Sequence, residues 1–330
     1  MTALPTFSDV EAAAARLDGV ATKTPLIRSA VLDERTGGRI LLKAETLQRT
    51  GSFKFRGAYN AVSRVPESER SRGIVACSSG NHAQGVAAAA ALFDVPATIV
   101  MPHDAPALKR ERTAALGARI VPYDRASGDR DQIAADLVEE TGGSFVAPYD
   151  NYDVISGQGT TGLELVRQAD AIGLEPELLL TPCGGGGLTA GLALSLSALV
   201  PQARLITVEP EGFDDHARSF RSGRREHNPA KSGSVCDALL AYRPGELTFA
   251  VNQPRIAEGA VVSDEEALAA VAYAWHNLKL VVEPGGAVAL AAILSGRVDV
   301  SGKTVAVILS GGNADPAIYA QAVAAHSGSA

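Results

Sequence analysis

The chain has 330 residues, 46% of them apolar and 20% charged, a balance that can bury a substantial core in one or two globular domains. A formal charge of -7, with no clustered Lys/Arg face, excludes polyanionic partners such as nucleic acid or an anionic membrane surface and favours a small-molecule role.

The opening residues Met1-Thr2-Ala3-Leu4-Pro5 carry no basic stretch followed by an apolar one, so no secretory leader is expected. Apolar runs then alternate with Ala-rich helical stretches. The run 40–43 predicts a strand before a helix from about residue 57, 74–77 a strand before a helix over 84–93, 97–101 before one over 107–116, and 119–121 before one over 131–140. Strands that are apolar throughout and linked by helices require a parallel sheet covered on both faces. The expectation is a doubly wound, mostly parallel α/β protein, with a large domain over 1–70 and 151–330 and a smaller domain over 71–150 inserted into it.

Gly157-x-Gly159-x-x-Gly162 matches the dinucleotide-binding pattern as a string, but it follows the turn-like Tyr149-Asp150-Asn151-Tyr152 and not a strand, so tight packing at a helix start is expected. The apolar run 178–180 leads into Gly184, Gly185, Gly186 and Gly187, and then into the helical Leu188-Thr189-Ala190. Each glycine costs about 0.5–1 kcal/mol relative to alanine, which a turn serving only the chain has little reason to spend four times. Without Cβ atoms, oxygens can reach the main chain, and the helix start adds its unbonded N–H groups and positive dipole end. The string has the build of a phosphate cradle. Window 178–203 is free of charge and long enough to cross a membrane, yet Pro182, the glycines and Pro201 break any continuous helix there.

Further on, 205–208 and 305–309 read as buried strands, and Arg221-Ser222-Gly223-Arg224-Arg225 as a solvated helix end. Gly302-Lys303-Thr304 ends like a nucleotide P-loop, but Arg297 stands where its first glycine is needed and a strand follows. Cys77, Cys183 and Cys236 are few, odd in number and far apart, which fits buried thiols in a reducing compartment; the cytoplasm is expected.

Several motifs resemble one family in the family's own order. Ser52-Phe53-Lys54-Phe55-Arg56-Gly57, Ser78-Ser79-Gly80-Asn81-His82, Gly157-Gln158-Gly159-Thr160, Gly184 to Gly187, Glu283-Pro284-Gly285-Gly286 and Ser310-Gly311-Gly312-Asn313 look like the fold type II pyridoxal-phosphate enzymes, tryptophan synthase β-like in fold, of the threonine dehydratase, serine racemase and hydroxyaspartate dehydratase group. The resemblance implies pyridoxal 5'-phosphate as cofactor, Lys54 as its Schiff-base lysine, and Phe53, Asn81, Gly184, Gly185, Gly186, Gly187, Glu283 and Ser310 around it. It also implies that Ser78, Gly80, Asn81 and His82 grip the substrate carboxylate. Beside the apolar Phe53 and Phe55 a lysine loses its proton more readily than in water, and a neutral amine is what attacks an aldehyde. A hydroxyl such as Ser310 at the ring nitrogen does not hold that nitrogen protonated, which suits elimination from the β-carbon.

The same likeness assigns Arg130, in the segment Tyr123 to Arg130, to a substrate's distal carboxylate. It assigns Glu209, Phe213 and Asp215 to a divalent cation, Mg2+, Mn2+ or Ca2+, against the rival of a solvated acidic loop. Ser79 is placed to return a proton on the face opposite the lysine, which permits racemisation, or else it stabilises its own turn. Cys236-Asp237-Ala238 stands where many relatives carry Ala-Asp-Gly, and Ala241 and Tyr149 depart from the racemase pattern. The expectation is therefore an ammonia-lyase deaminating threonine, serine or 3-hydroxyaspartate to a 2-oxo acid and ammonia, in a homodimer. The alternatives are an amino-acid racemase and a non-catalytic cofactor-binding protein. Set against the resembled biosynthetic threonine dehydratases, a chain ending shortly after the last core helix is expected to lack their regulatory C-terminal domain, which implies a catabolic role.

Overall fold

Runs that are apolar on both sides of the pleat must be covered on both sides, and the chain does this with two parallel sheets. The computed structural model describes residues 3–105, 107–124, 127–230 and 232–326. Its strands are β1 (Leu26–Ile27), β2 (Arg39–Ala44), β3 (Ile74–Cys77), β4 (Ala97–Pro102), β5 (Arg119–Tyr123), β6 (Ser144–Phe145), β7 (Leu178–Pro182), β8 (Arg204–Pro210), β9 (Ile256–Val262) and β10 (Thr304–Leu309). One sheet has the order β1-β2-β10-β7-β8-β9 and the other β5-β4-β3-β6. Among the strands of the described residues, β1 alone is antiparallel to its neighbour. The second sheet lies between β2 and β7 in sequence, and its Ile74, Ala76, Ile99 and Met101 pack with Val86 in one cluster that also takes in Leu17, Phe55, Ala58 and Val154 from outside that span.

Alternate residues of β2, β7 and β10 serve opposite faces of the larger sheet. Leu42, Leu180 and Val307 meet Val271 and Leu290 from the helices Asp264–Tyr273 and Pro284–Leu294. Leu41, Leu179 and Ile308 meet Leu165, Leu188 and Leu192 from the helices Tyr152–Asp170 and Gly187–Leu199. In parallel sheets, ligands collect where the strands end at their carboxyl side. Ser78 follows β3, the glycine run follows β7 and Ser310 follows β10.

The helix Tyr152–Asp170 organises this end of the molecule. Gly157, Gly159 and Gly162 lie in its interior and not at its start, because Asn151 caps the helix through Asp153 and Val154 N–H, well before the first of them. Packing is their role nonetheless. A Cβ on Gly157 would fall 2.6 Å from Gly57 Cα, and one on Gly191 would fall 2.3 Å from Gly159 N. The helix Lys54–Ser63 and the helix Gly187–Leu199 thus close-pack on one common partner, which fixes Lys54 and the glycine run in a single frame.

A buried ionic network locks the first of these contacts. Arg56 donates from Nε and Nη2 to Glu45, at 2.8 Å each, and from Nη1 and Nη2 to Glu164, at 2.7 and 2.8 Å; Lys43 Nζ joins Glu164 at 2.9 Å. Arg56, Glu45 and Lys43 have no exposed surface, so removing one partner would strand a buried charge. Arg221 to Arg225 close the helix Asp215–Ser222 at the surface, and no described helix is long and apolar enough to cross a membrane.

Candidate active site

Lys54 is the first residue of its helix, and its Nζ donates to Pro148 O at 2.7 Å and lies 5.3 Å from the Phe53 ring centroid. Burial holds its ammonium down to about pKa 8, against a smaller opposing pull from the Glu283 carboxylate. Near neutral pH such an amine carries a usable neutral fraction. Phe53 itself is anchored by its N–H, which donates to Ser310 O at 3.1 Å and so ties the lysine segment to the end of β10.

Pro148 leads directly to the glycine run. The Tyr149 ring lies so close to Gly185 that a Cβ there would come within 2.3 Å of it, and a Cβ on Gly187 would meet Tyr149 backbone at 3.0 Å. Gly186 sits at φ 90°, and a Cβ on it would fall 2.6 Å from His216 Cε1. Both facts demand glycine there. Among the described residues, the amides of Gly184, Gly185 and Gly186 donate to no protein acceptor. With the first turn of the helix Gly187–Leu199 they offer the kind of amide donors that suit an anion.

The opposite wall is a polar triad. Asn81, first residue of the helix Asn81–Leu92, donates from Nδ2 to Glu283 Oε1 at 2.5 Å and accepts at Oδ1 from Asn313 Nδ2 at 2.8 Å, which also donates to Thr50 O at 2.7 Å. Burial pushes the Glu283 carboxyl up to about 7, assisted by Asp237 and opposed by Asn81, Lys109 and Lys54. Ser310 is buried at the end of β10. A run of amides with no protein acceptor, a lysine of lowered pKa and a polar wall together fit a phosphorylated aldehyde cofactor.

The proposed carboxylate grip lies at the end of β3. Ser78 Oγ accepts from Gly80 N–H at 3.1 Å, and Ser79 is half-buried with no hydrogen bond among the described residues. His82 is 2% exposed, its Nε2 pairs with Val146 O at 2.9 Å, and burial together with the Lys54 charge lowers its pKa to about 3. Its ring is therefore neutral and held at Nε2, while Nδ1 is buried with no partner among the described residues. Arg130 begins the helix Arg130–Thr141 and is exposed, with Nε 3.5 Å from Asp131, but its charge is felt at the Tyr149 hydroxyl. Arg125, the other arginine of that segment, lies outside the described residues.

Glu209 and Asp215 are both fully buried. Glu209 accepts from His216 N–H at 2.9 Å and Ala217 N–H at 2.8 Å; Asp215 Oδ1 accepts from Asn228 at 2.6 Å while Oδ2 has no partner. Burial raises the pKa of both, Asp215 to about 7, and Asp215 raises that of Glu209 further. Among the described residues no three His, Cys, Asp or Glu side chains gather around one metal position. Asp215 Oδ2 is thus an orphaned buried carboxylate oxygen beside a second acid.

Sequence reasoning assigned no role to Pro148 O, Asp150 or Asn313, and did not consider Thr248 or Asn252, which touch these parts from far along the chain. Asn313 stood inside a recognised motif and could have been found. The others carry no local signal.

Residues 17–311 match the family model described as pyridoxal-phosphate dependent enzyme. The chain is 43% identical over 318 residues to L-threo-3-hydroxyaspartate ammonia-lyase of Saccharomyces cerevisiae, covering 96% of both. Among solved structures it resembles a threonine deaminase of T.th., at 43% identity and TM-score 0.88 over 94% of this chain and 99% of that one, and maize serine racemase, at 34% identity and TM-score 0.91 over 98% of each. With an amine, a cradle and a polar wall set for the cofactor, and a family match reaching from the first helix to the loop after β10, the chain belongs to the pyridoxal-phosphate dependent enzymes.

Proposed function

We propose that the protein is an ammonia-lyase that deaminates a β-hydroxy amino acid, 3-hydroxyaspartate ahead of threonine and serine, to a 2-oxo acid and ammonia. The observation that carries it is the Lys54 amine, held at about pKa 8 and bonded to Pro148 O, one residue before the Tyr149 that lies against the glycine run. Lys54, Phe53, Asn81, Glu283, Ser310 and Gly184 to Gly187 are the residues that would hold pyridoxal phosphate. When bound, that cofactor draws electrons from the substrate Cα, so that Cα–H becomes acidic and the β-hydroxyl can leave.

The chain's own groups do the rest. Lys54 takes the Cα proton, its neutral form being accessible because burial has already lowered its pKa. Ser78 Oγ and the first-turn amides of the helix Asn81–Leu92 orient the substrate carboxylate. Arg130 meets a second, distal carboxylate, which is what distinguishes hydroxyaspartate from threonine. The water lost in elimination is regained on hydrolysis, so the net change is one molecule of ammonia released.

Racemisation is a second reading, supported by Ser79, whose half-buried hydroxyl makes no hydrogen bond among the described residues and could exchange a proton. The relative from Saccharomyces cerevisiae, named for hydroxyaspartate, supports the first. A panel of single enantiomers of hydroxyaspartate, threonine and serine, scored for ammonia, 2-oxo acid and the mirror-image amino acid, decides between them. Ammonia should dominate with hydroxyaspartate, and Arg130→Ala should lower kcat/KM for it by about 10–100-fold, the loss of one charged contact, while changing threonine little. Faster appearance of the mirror image overturns the ordering, and equal losses on both substrates remove Arg130 from recognition. The reading includes a cytoplasmic homodimer, supported by three buried free cysteines and by the exposed Leu47, Trp275 and Val281.

A further inference from the structure

A phosphate loop works only if its amides face the ligand, and glycine, which makes the approach possible, does nothing to choose that orientation. In a planar trans peptide, C=O of one residue and N–H of the next point in opposite directions, so holding the carbonyl from behind aims the amide forward. The glycine run is held in this way. Gly185 O accepts from Thr248 Oγ1 at 2.8 Å, and Gly186 O accepts from Asn252 Nδ2 at 3.2 Å. Together with Ala190 N–H, which donates to Gly186 O at 2.8 Å, and Gly245 N–H, which donates to Gly185 O at 3.4 Å, those two side-chain bonds hold the planes that carry the Gly186 and Gly187 amides. Thr248 and Asn252 are both fully buried, and they lie one turn apart on the short helix Glu246–Asn252.

That helix is in turn fixed by Asp150. Its Oδ2 accepts from Glu246 N–H at 2.9 Å, and its Oδ1 from Leu247 and Thr248 N–H at 2.8 and 3.0 Å. Asp150 follows Pro148, which holds Lys54, and Tyr149, which covers Gly185. The lysine side and the carbonyl side of the cradle are therefore joined through three consecutive residues.

We propose that Thr248 and Asn252, seated by Asp150, are positioning residues that orient the Gly186 and Gly187 amides toward the cofactor phosphate. The proposal rests on the reading of the site as a pyridoxal-phosphate site. It concerns the phosphate end alone, and this makes it separable from a general loss of packing.

The test compares pyridoxal phosphate with pyridoxal, which has the aldehyde but no phosphate, on the full-length protein. Thr248→Val keeps the side-chain shape and removes the donor; Thr248→Ser restores it. Thr248→Val should weaken pyridoxal phosphate by about 10-fold, the worth of one hydrogen bond, leave pyridoxal within about 2-fold and shift the 31P resonance of the bound cofactor. Thr248→Ser should return all three to wild type. Asn252→Asp, which sets an acceptor against the Gly186 carbonyl, should act in the same direction. Equal weakening of both ligands, or no change in either, overturns the proposal. If wild-type protein captures neither ligand, and borohydride leaves no adduct on Lys54, the functional reading itself has failed and the positioning role falls with it.

Discussion

Burial moves Lys54 and Glu283 the opposite way from an ordinary ion pair: the amine goes down to about 8 and the carboxyl up to about 7, each group resisting the shift in the other. For Lys54 the folded cofactor-free chain binds fewer protons than the unfolded chain between about 8 and 10.5, so its burial penalty is present below 8 and stability rises with pH across that window. For Glu283 the folded state binds more protons between 4.5 and about 7, so its contribution is complete at low pH and is lost as pH rises through 7. Glu283→Gln removes the charge that keeps the Lys54 proton on. The rate at which cofactor-free protein captures pyridoxal phosphate should then begin to rise roughly one pH unit lower than in wild type. A rise at unchanged or higher pH would mean that the carboxylate does not act on the lysine.

At the scale of elements, the strands were legible because β3, β7 and β10 are buried along their whole length and show no polar alternation. Helix starts were less so. The helices at Lys54 and Asn81 begin three residues before the expected positions, since their first turns, Lys54-Phe55-Arg56 and Asn81-His82-Ala83, carry site and network residues where an apolar period would otherwise announce the helix. The glycines at 157, 159 and 162 were read as packing but at a helix start; glycine inside a helix is locally unfavourable, and only the neighbouring helices explain it. Gly191→Ala tests that account. Its Cβ would meet Gly159 N at 2.3 Å and Ile155 O at 2.7 Å, both backbone, so the helices must part. The variant should lose about 1–3 kcal/mol in urea unfolding although alanine is the better helix former. A gain in stability would show that the close approach is not needed.

At the scale of the whole molecule, the chemistry-bearing residues were legible as motifs, because each sits at a strand end or helix start where local sequence and local structure coincide. What joins them was not. Pro148 O to Lys54 Nζ spans 94 positions and Asp150 to Leu247 N–H spans 97, and no local pattern announces contacts made only once two sheets have folded beside each other. The buried acids Glu209 and Asp215 show how such a contact can govern stability. With folded pKa values raised, their contribution is greatest while they are protonated and is lost as pH climbs, for Asp215 from 3.8 through about 7. A divalent cation at this site would require the ionised pair, so any stabilisation by it should appear over the range in which the protonated pair loses its own. Melting in millimolar Mg2+ against EDTA should give nearly coincident curves near pH 5.5 and, near pH 8, a gap of about 2–4 °C for each kcal/mol of binding. Asp215→Asn should close that gap while leaving the pH 5.5 curves little changed. Coincident wild-type curves at both pH values would leave the two carboxyls as a buried, proton-sharing pair with no ion between them.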